Sequence, residues 1–379
     1  MAERHVGWGQ TYATVALALV AAANGDEIII HADVPGGAKT FGQNAVLTIN
    51  QTDLTIRSEV GDTITIAPIG WIDYIFQLYG QTPTVRGLQF ALAGGNIIQA
   101  YLRAGNGIND GEIDNCGIVV GGGVEGLHCK MGNVTGWLIH DSQFSGVGNG
   151  MDVPSFGGEI RSCSFDVTGK GIDNAYNSLI VINRCLFHGG TWGVYELRDG
   201  GIVKNSIFYE CSTAGINCDG ICVSGGVMNC TFEDCVDGIE FDGDNYIHRI
   251  DNCAFVNCSG FGINHGATIH TPNAPRNNLF FGNGTDFQNY TAPVDSQTTD
   301  PQFTDEAGHD YTFLAGSPLE DNGFGLGGIV DFDYVGTARP QGAAWDIGAY
   351  ELETGWSGDY CGASISDYCG ALILDYCGG

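Results

Sequence analysis

The chain has 379 residues, 60 of them glycine and only 10 proline, and it carries 14 Lys and Arg against 44 Asp and Glu, a formal net charge of −30. Such a charge excludes nucleic acid as a partner and repels polyanionic glycans and acidic lipid surfaces at long range. No run reaches the roughly 18–20 apolar residues of a helical membrane span, so none is predicted.

The first predicted element lies in residues 13–23, an apolar run that ends in three alanines. Its length suits the core of a signal peptide, but the positive leader is missing because Glu3 cancels Arg4. Val15, Leu19, Val20 and Ala23 stand at helical spacing, and Asn24-Gly25 stops the run before a strand at Glu27–Ile30. The run therefore reads as a short buried helix that caps the strands after it.

The chain then becomes repetitive. The phrase IDNCGI at residue 113 returns as IHDSQF, IRSCSF, INRCLF, VKNSIF, VMNCTF, IDNCAF and PRNNLF, and an earlier copy, VRGLQF, ends at Phe90. The closing residues are Phe90, Ile118, Phe144, Phe165, Phe187, Phe208, Phe232, Phe255 and Phe280, spaced 21 to 28 residues apart. A second phrase, Gly plus an apolar residue, comes after most of them, as in Gly171-Ile172, Gly193-Val194 and Gly215-Ile216. Gly, Asn, Asp and Ser fill the spaces between, the residues of turns. One copy is too small to bury its own apolar positions, so copies must stack, each strand pairing with its equivalent in the next copy at about 4.8 Å. A period near 22 residues without a leucine-rich consensus predicts an all-β parallel β-helix of about ten rungs. The Ile, Cys and Phe columns should face inward, and the column Asn115, Asn205, Asn229, Asn252 and Asn277 should sit at a turn with its amides stacked along the axis.

The 14 cysteines mostly obey the repeat. Cys116, Cys163, Cys185, Cys230 and Cys253 form one column, and Cys211, Cys235 and Cys258 a second. Periodic inward columns predict buried free thiols rather than disulfides, and Cys218 and Cys222 lack the spacing of a zinc pair. Reduced thiols in this number favour folding in a reducing cytoplasm.

Residues that carry chemistry are sparse. Asp114, His140 and Arg161 occupy one column on three successive rungs, with Asp141 alongside and Lys204 two rungs on. A groove with one base and acidic ligands would make these the candidate catalytic residues, and a plain solvent-facing column is the competing reading. Asp237, Asp242 and Asp244, with Glu240, offer hard oxygens for Ca²⁺ in an acidic turn, although no EF-hand pattern is present and no other cofactor is predicted. Trp137, Trp192 and Tyr195 are the candidates to stack on sugar rings, and packing over turns or at a subunit contact is the equal alternative.

In its repeat phrases the chain resembles the pectate-lyase-like right-handed β-helix superfamily, and the resemblance extends over nearly its whole length. The capping helix with GDEIII after it looks like the N-terminal cap of these proteins, and DPQF, DYTFLAGSPLEDNG, DFDYVGTARPQG and DIGAYE look like their C-terminal closing segment. The resemblance implies residues 1–45 as cap, 46–290 as solenoid, 291–353 as closing segment and 354–379 as a tail. Pectin-cleaving hydrolases of this fold carry DD, GHG and RIK motifs that are absent here.

In the tail DYCG recurs at 359, 367 and 375, a period of eight that gives Tyr360, Tyr368 and Tyr376, and Cys361, Cys369 and Cys377, equivalent environments. These six residues are the predicted assembly contacts of a homotrimer. Together the features favour a structural surface protein of a bacteriophage virion (tailspike, fibre or capsid decoration) that contacts other virion proteins and host surface polysaccharide. The alternative is an exported polysaccharide lyase on the same fold.

Overall fold

The computed structural model describes residues 1–353 apart from residues 44, 69–74, 80, 91–101, 105–109, 121–124, 130–133, 154–155, 175–178, 199, 220–224, 243–246, 267–273 and 290–291. Short strands recur in threes and sort into three parallel sheets of 11 strands each. Sheet A runs from Glu3–Val6 to Ile250–Asp251, sheet B from Ala38–Gln43 to Leu279–Phe281, and sheet C from Leu47–Ile49 to Thr285–Gln288. Within these sheets each strand pairs with its equivalent in the neighbouring turn, which makes the chain an all-β parallel β-helix, and Phe303–Asp305 and Asp310–Phe313 form a separate antiparallel pair. Among the described residues no helix is long and apolar enough to cross a membrane.

The register obeys the repeat phrase. Phe144, Phe165, Phe187, Phe208, Phe232, Phe255 and Phe280 are consecutive partners in sheet B and all are buried. Their rings stack nearly parallel with centroids 4.6–5.1 Å apart. This stack explains the glycine of the second phrase, which lies on sheet C across the core. A Cβ on Gly193 would stand 2.5 Å from Cδ1 of Phe208, and one on Gly215 would stand 2.6 Å from the same atom of Phe232. Only glycine lets the ring approach that closely.

The turn between sheets A and B demands a left-handed residue. Asn115, Asn205, Asn229, Asn252 and Asn277 hold φ between 48° and 57° there, a conformation Asn tolerates better than most residues. The expected amide ladder is interrupted. Asn252 Nδ2 donates to Asn229 Oδ1 at 3.2 Å, but Asn229 Nδ2 turns away to the carbonyl of Asp346 at 2.8 Å. The closing segment takes the amide out of the ladder.

Both cysteine columns face the core, and the nine cysteines whose side chains are described are all free and buried. Several of their sulfurs donate to backbone carbonyls of the preceding turn, as from Cys185 to Ile160 at 3.5 Å and from Cys253 to Val227 at 3.6 Å. Burial pushes the Cys116 thiol up to about 12. Thiolate is the reactive form, so native protein should resist a thiol reagent, whereas denaturation without reductant should expose at least the nine described thiols. Finding disulfides in their place after denaturation would overturn this packing.

The capping helix Val15–Ala21 begins at Thr14, whose side chain accepts the Leu17 N–H. It buries Val15, Ala18 and Leu19 on the first turn, but not Val20, which is exposed. The solenoid starts earlier than the predicted boundary at residue 46, because Glu3–Val6, Glu27–Ile30 and Ala38–Gln43 already belong to sheets A and B.

The closing segment folds back along the outside of the solenoid. Phe313, Leu319 and Ile347 pack on Ala254, Val256 and Leu279, while Leu326 and Val330 pack on Met228. Strands beneath it are therefore buried on both faces, as in Thr231–Glu233, whereas Ser164–Val167 buries alternate residues. The tail, with Tyr360, Cys361, Tyr368, Cys369, Tyr376 and Cys377, lies outside the described residues.

Candidate functional site

The outer face of sheet C carries a column that the second repeat phrase sets up. The residue after each Gly-apolar pair points out, so Asp152, Asp173, Tyr195, Asn217, Glu240 and Asn264 succeed one another turn by turn. Strand Lys170–Asp173 adds Lys170 and strand Trp192–Tyr195 adds Trp192, which are partners in the next column across.

These side chains converge. Lys170 Nζ donates to Asp173 Oδ2 at 2.7 Å and lies 3.5 Å from the centre of the Tyr195 ring. The Trp192 and Tyr195 rings are 4.8 Å apart and tilted by 53°. Trp192 Nε1 donates to Glu240 Oε2 at 3.4 Å, and Asn217 Nδ2 donates to Asp242 Oδ2 at 3.2 Å. Asp173 Oδ1 is buried with no hydrogen-bond partner. Burial raises the Asp173 carboxyl above its ordinary value, against the pull of Lys170, and burial likewise raises Glu240 and Glu196. Raised carboxyls beside half-buried aromatics make this face the candidate functional surface.

Asp173 and Glu240 stand three rungs apart, roughly 14 Å from backbone to backbone, whereas Asp152 and Asp173 are neighbours on adjacent rungs. Lys170 is engaged by Asp173 and Tyr195 in contacts that an ammonium makes, which leaves it poorly placed as a base.

Sheet A holds the predicted catalytic column. Asp114, His140 and Arg161 are consecutive Cα partners, and Asp114 and His140 do meet. His140 Nδ1 lies 2.7 Å from Asp141 Oδ2 and 3.5 Å from Asp114 Oδ1, while Nε2 lies 3.1 Å from Glu112 Oε1. Burial opposes protonation of this imidazole, but the hydrogen bonds to Asp141 and Glu112 and the nearby charges outweigh it, so its pKa is raised. Arg86 completes the cluster on Glu112 and Asp114. Arg161 stands one rung further on and faces a different cavity, lined by Arg184 and Lys204.

Among the described residues, oxygen ligands for Ca²⁺ are not gathered into one all-carboxylate set in the sheet A cluster, while Glu240 and Asp242 meet at Asn217 Nδ2 on sheet C. Candidate ligand atoms of Asp114, His140 and Asp141 lie within 4.8 Å of one another, but one is an imidazole nitrogen, and Ca²⁺ takes oxygen ligands. Both ring nitrogens are also engaged by carboxylates, so the cluster is an ion-pair network tying successive turns. Asp237 and Asp242 do not share a site either. They flank strand Asp237–Phe241 five residues apart, roughly 16 Å at the rise of a strand, and Asp237 is committed to Phe261 N–H and Asn264. Asp244 lies outside the described residues.

Of the aromatic candidates, Trp192 and Tyr195 come together as described. Trp137 is a correction: it is buried, its ring packed against the Gly111 backbone where a Cβ would stand 2.4 Å from Cζ2. It presents no face to a sugar. Lys170, Asp173 and Asn217 were missed, although the Gly-apolar-polar spacing of GID, GVY, GIN and GIE marked their column.

Residues 125–298 match the family model described as right handed beta helix region. Among solved structures, pectate lyase Pel9A is similar at 13% identity and a TM-score of 0.60, over 93% of this chain and 96% of that one. XylC, solved in complex with xylose, is similar at 11% identity and a TM-score of 0.51, over 92% and 98%. The ORF18 protein of Geobacillus virus E2 is similar at 16% identity and a TM-score of 0.38, over 75% and 56%. At these identities the likeness establishes the right-handed β-helix fold. No curated protein sequence matches the chain.

Proposed function

We propose that this right-handed β-helix of pectate-lyase-like fold is a glycan-binding surface protein that holds a polysaccharide across the outer face of sheet C. The observation that carries the reading is the pairing of Trp192 and Tyr195 beside Asp173, whose buried Oδ1 lacks a partner. Aromatic faces take up the apolar side of a sugar ring, and an orphan carboxylate oxygen accepts a sugar hydroxyl. A net charge of −30 favours a neutral polysaccharide over a polyuronate. Of the fold relatives, the one solved with xylose lends support to this reading, and the pectate lyase to the second reading below. Buried free thiols support folding in a reducing cytoplasm, as for a bacteriophage virion protein, with a homotrimer as the assembly proposed for such a spike or decoration. An exported lyase is the second reading, favoured by the carboxyls of raised pKa on the same face.

The test is a titration of the full chain with neutral oligosaccharides, read by tryptophan fluorescence and calorimetry. Trp192→Ala is expected to weaken binding about tenfold or more, equivalent to about 1.4 kcal/mol, with an unchanged melting temperature. Equal affinity in the variant would remove sheet C as the sugar surface. Release of unsaturated products from a polyuronate such as polygalacturonate, assayed in parallel, would move the assignment to the lyase.

A further inference from the structure

Arg161, Arg184 and Lys204 come from successive turns of sheet A and its adjoining turn. They line a cavity of about 400 Å³ roofed by the closing segment at Ile329 and Asp331. The volume falls within the range of small-molecule sites, about 300–1,000 Å³. In a chain with 14 basic residues among 44 acidic ones, cations are normally matched, as Arg4 is by Asp26, Arg57 by Glu27 and Arg339 by Glu351. Among the described residues none of these three reaches a carboxylate. Arg184 Nε donates to the Tyr334 carbonyl at 2.8 Å and Lys204 Nζ to the Ile329 carbonyl at 2.7 Å, neutral partners that leave both charges uncompensated. Asp331 is turned to the Gly328 N–H, which it accepts at 2.8 Å.

A second observation points the same way. Asn205 lines the same cavity and is 2% exposed, and its Oδ1 is buried without a partner. The ladder donor that would serve it, Asn229 Nδ2, is held by the Asp346 and Gly348 carbonyls. An orphan acceptor beside three unmatched cations calls for a ligand that brings a negative charge and a hydroxyl together.

We propose that this cavity binds a compact oxyanion, a carboxylate or a phosphate, carried on a hydroxylated small molecule. The site lies on a different face from the sheet C surface and does not depend on it. Arg161 supplies an unengaged guanidinium fork, Arg184 and Lys204 supply the field, and Asn205 accepts the hydroxyl.

Calorimetric titration of the full chain with glucuronate, glucose 6-phosphate and glucose tests the site. Saturable binding of at least one anionic probe, with glucose bound at least about tenfold more weakly, is the expected result, and the tighter anionic probe identifies the oxyanion. Arg161→Ala should weaken that probe about tenfold or more without lowering the melting temperature, because Arg161 makes no bond to the closing segment, and Arg161→Lys should restore part of the loss. Absence of saturable binding by both anions overturns the proposal. So does glucose binding as tightly, or an Arg161→Ala variant that binds like the parent. Because Trp192→Ala probes the other face, its outcome is independent of this one.

Discussion

Replacing Phe208 with alanine is expected to destabilise the solenoid by about 3–5 kcal/mol, the usual range for a buried Phe. Phe208 is fully buried, with Phe187 4.6 Å below and Phe232 4.9 Å above. The substitution removes two ring contacts and opens a cavity that rigid backbone on either side is slow to fill. Gly193 offers nothing to fill the space, since it has no side chain where a Cβ would meet the ring. In a stacked array each turn contacts only its neighbours, so the damage should appear as a local break as well as a global loss. Urea denaturation should therefore show a lower midpoint and a reduced slope. Phe208→Leu, which keeps most of the volume, should retain most of the stability. A loss below about 1 kcal/mol for the alanine variant would mean that the ring column is not what holds the turns in register.

The ring column was readable in the sequence because a contact that recurs every turn leaves a periodic residue. Phe144 to Phe280, the inward cysteines and the left-handed Asn turns all obey that constraint, and the fold results from them. Outward positions obey no such repetition. The column of Asp173, Tyr195, Asn217 and Glu240 keeps the spacing but not the residue type, so the phrase locates it without revealing its chemistry. Trp137 misled because an aromatic after a glycine reads the same whether it faces solvent or packs on the Gly111 backbone. Asp237 and Asp242 looked clustered in the chain, yet a strand carries them far apart. The course of the closing segment was hidden. Contacts such as Asn229 to Asp346 join residues more than a hundred positions apart, and nothing local to either residue encodes them.

That docked segment should loosen as pH rises, with Glu233 as the principal group. Its carboxyl is buried under the segment, accepts the Tyr311 hydroxyl at 2.9 Å and has His309 Nδ1 at 4.0 Å. Burial comes first in raising it to about 8, the Tyr311 hydrogen bond pulls the other way, and Asp234 and Glu306 add to the rise. Asp346, raised to about 6, and Glu351 and Asp333, also raised by burial, act in the same direction. A carboxyl whose folded pKa is raised binds more protons when folded than when unfolded. Its stabilisation is thus complete below the unfolded value of 4.5 and is lost as pH climbs through about 8. Each pH unit in that window removes at most about 1.4 kcal/mol per group, so a fall of a few kcal/mol is expected between pH 5.5 and 8.5. Glu233→Gln keeps the shape, still accepts from Tyr311 and does not ionise, so its stability should be nearly flat above pH 7. Hydrogen exchange should place the loss in residues 300–353 of the parent, ahead of the ring column. An identical pH slope in parent and variant would show that another group controls the docking. Exchange rising first in sheet C would show that the segment is not the element released.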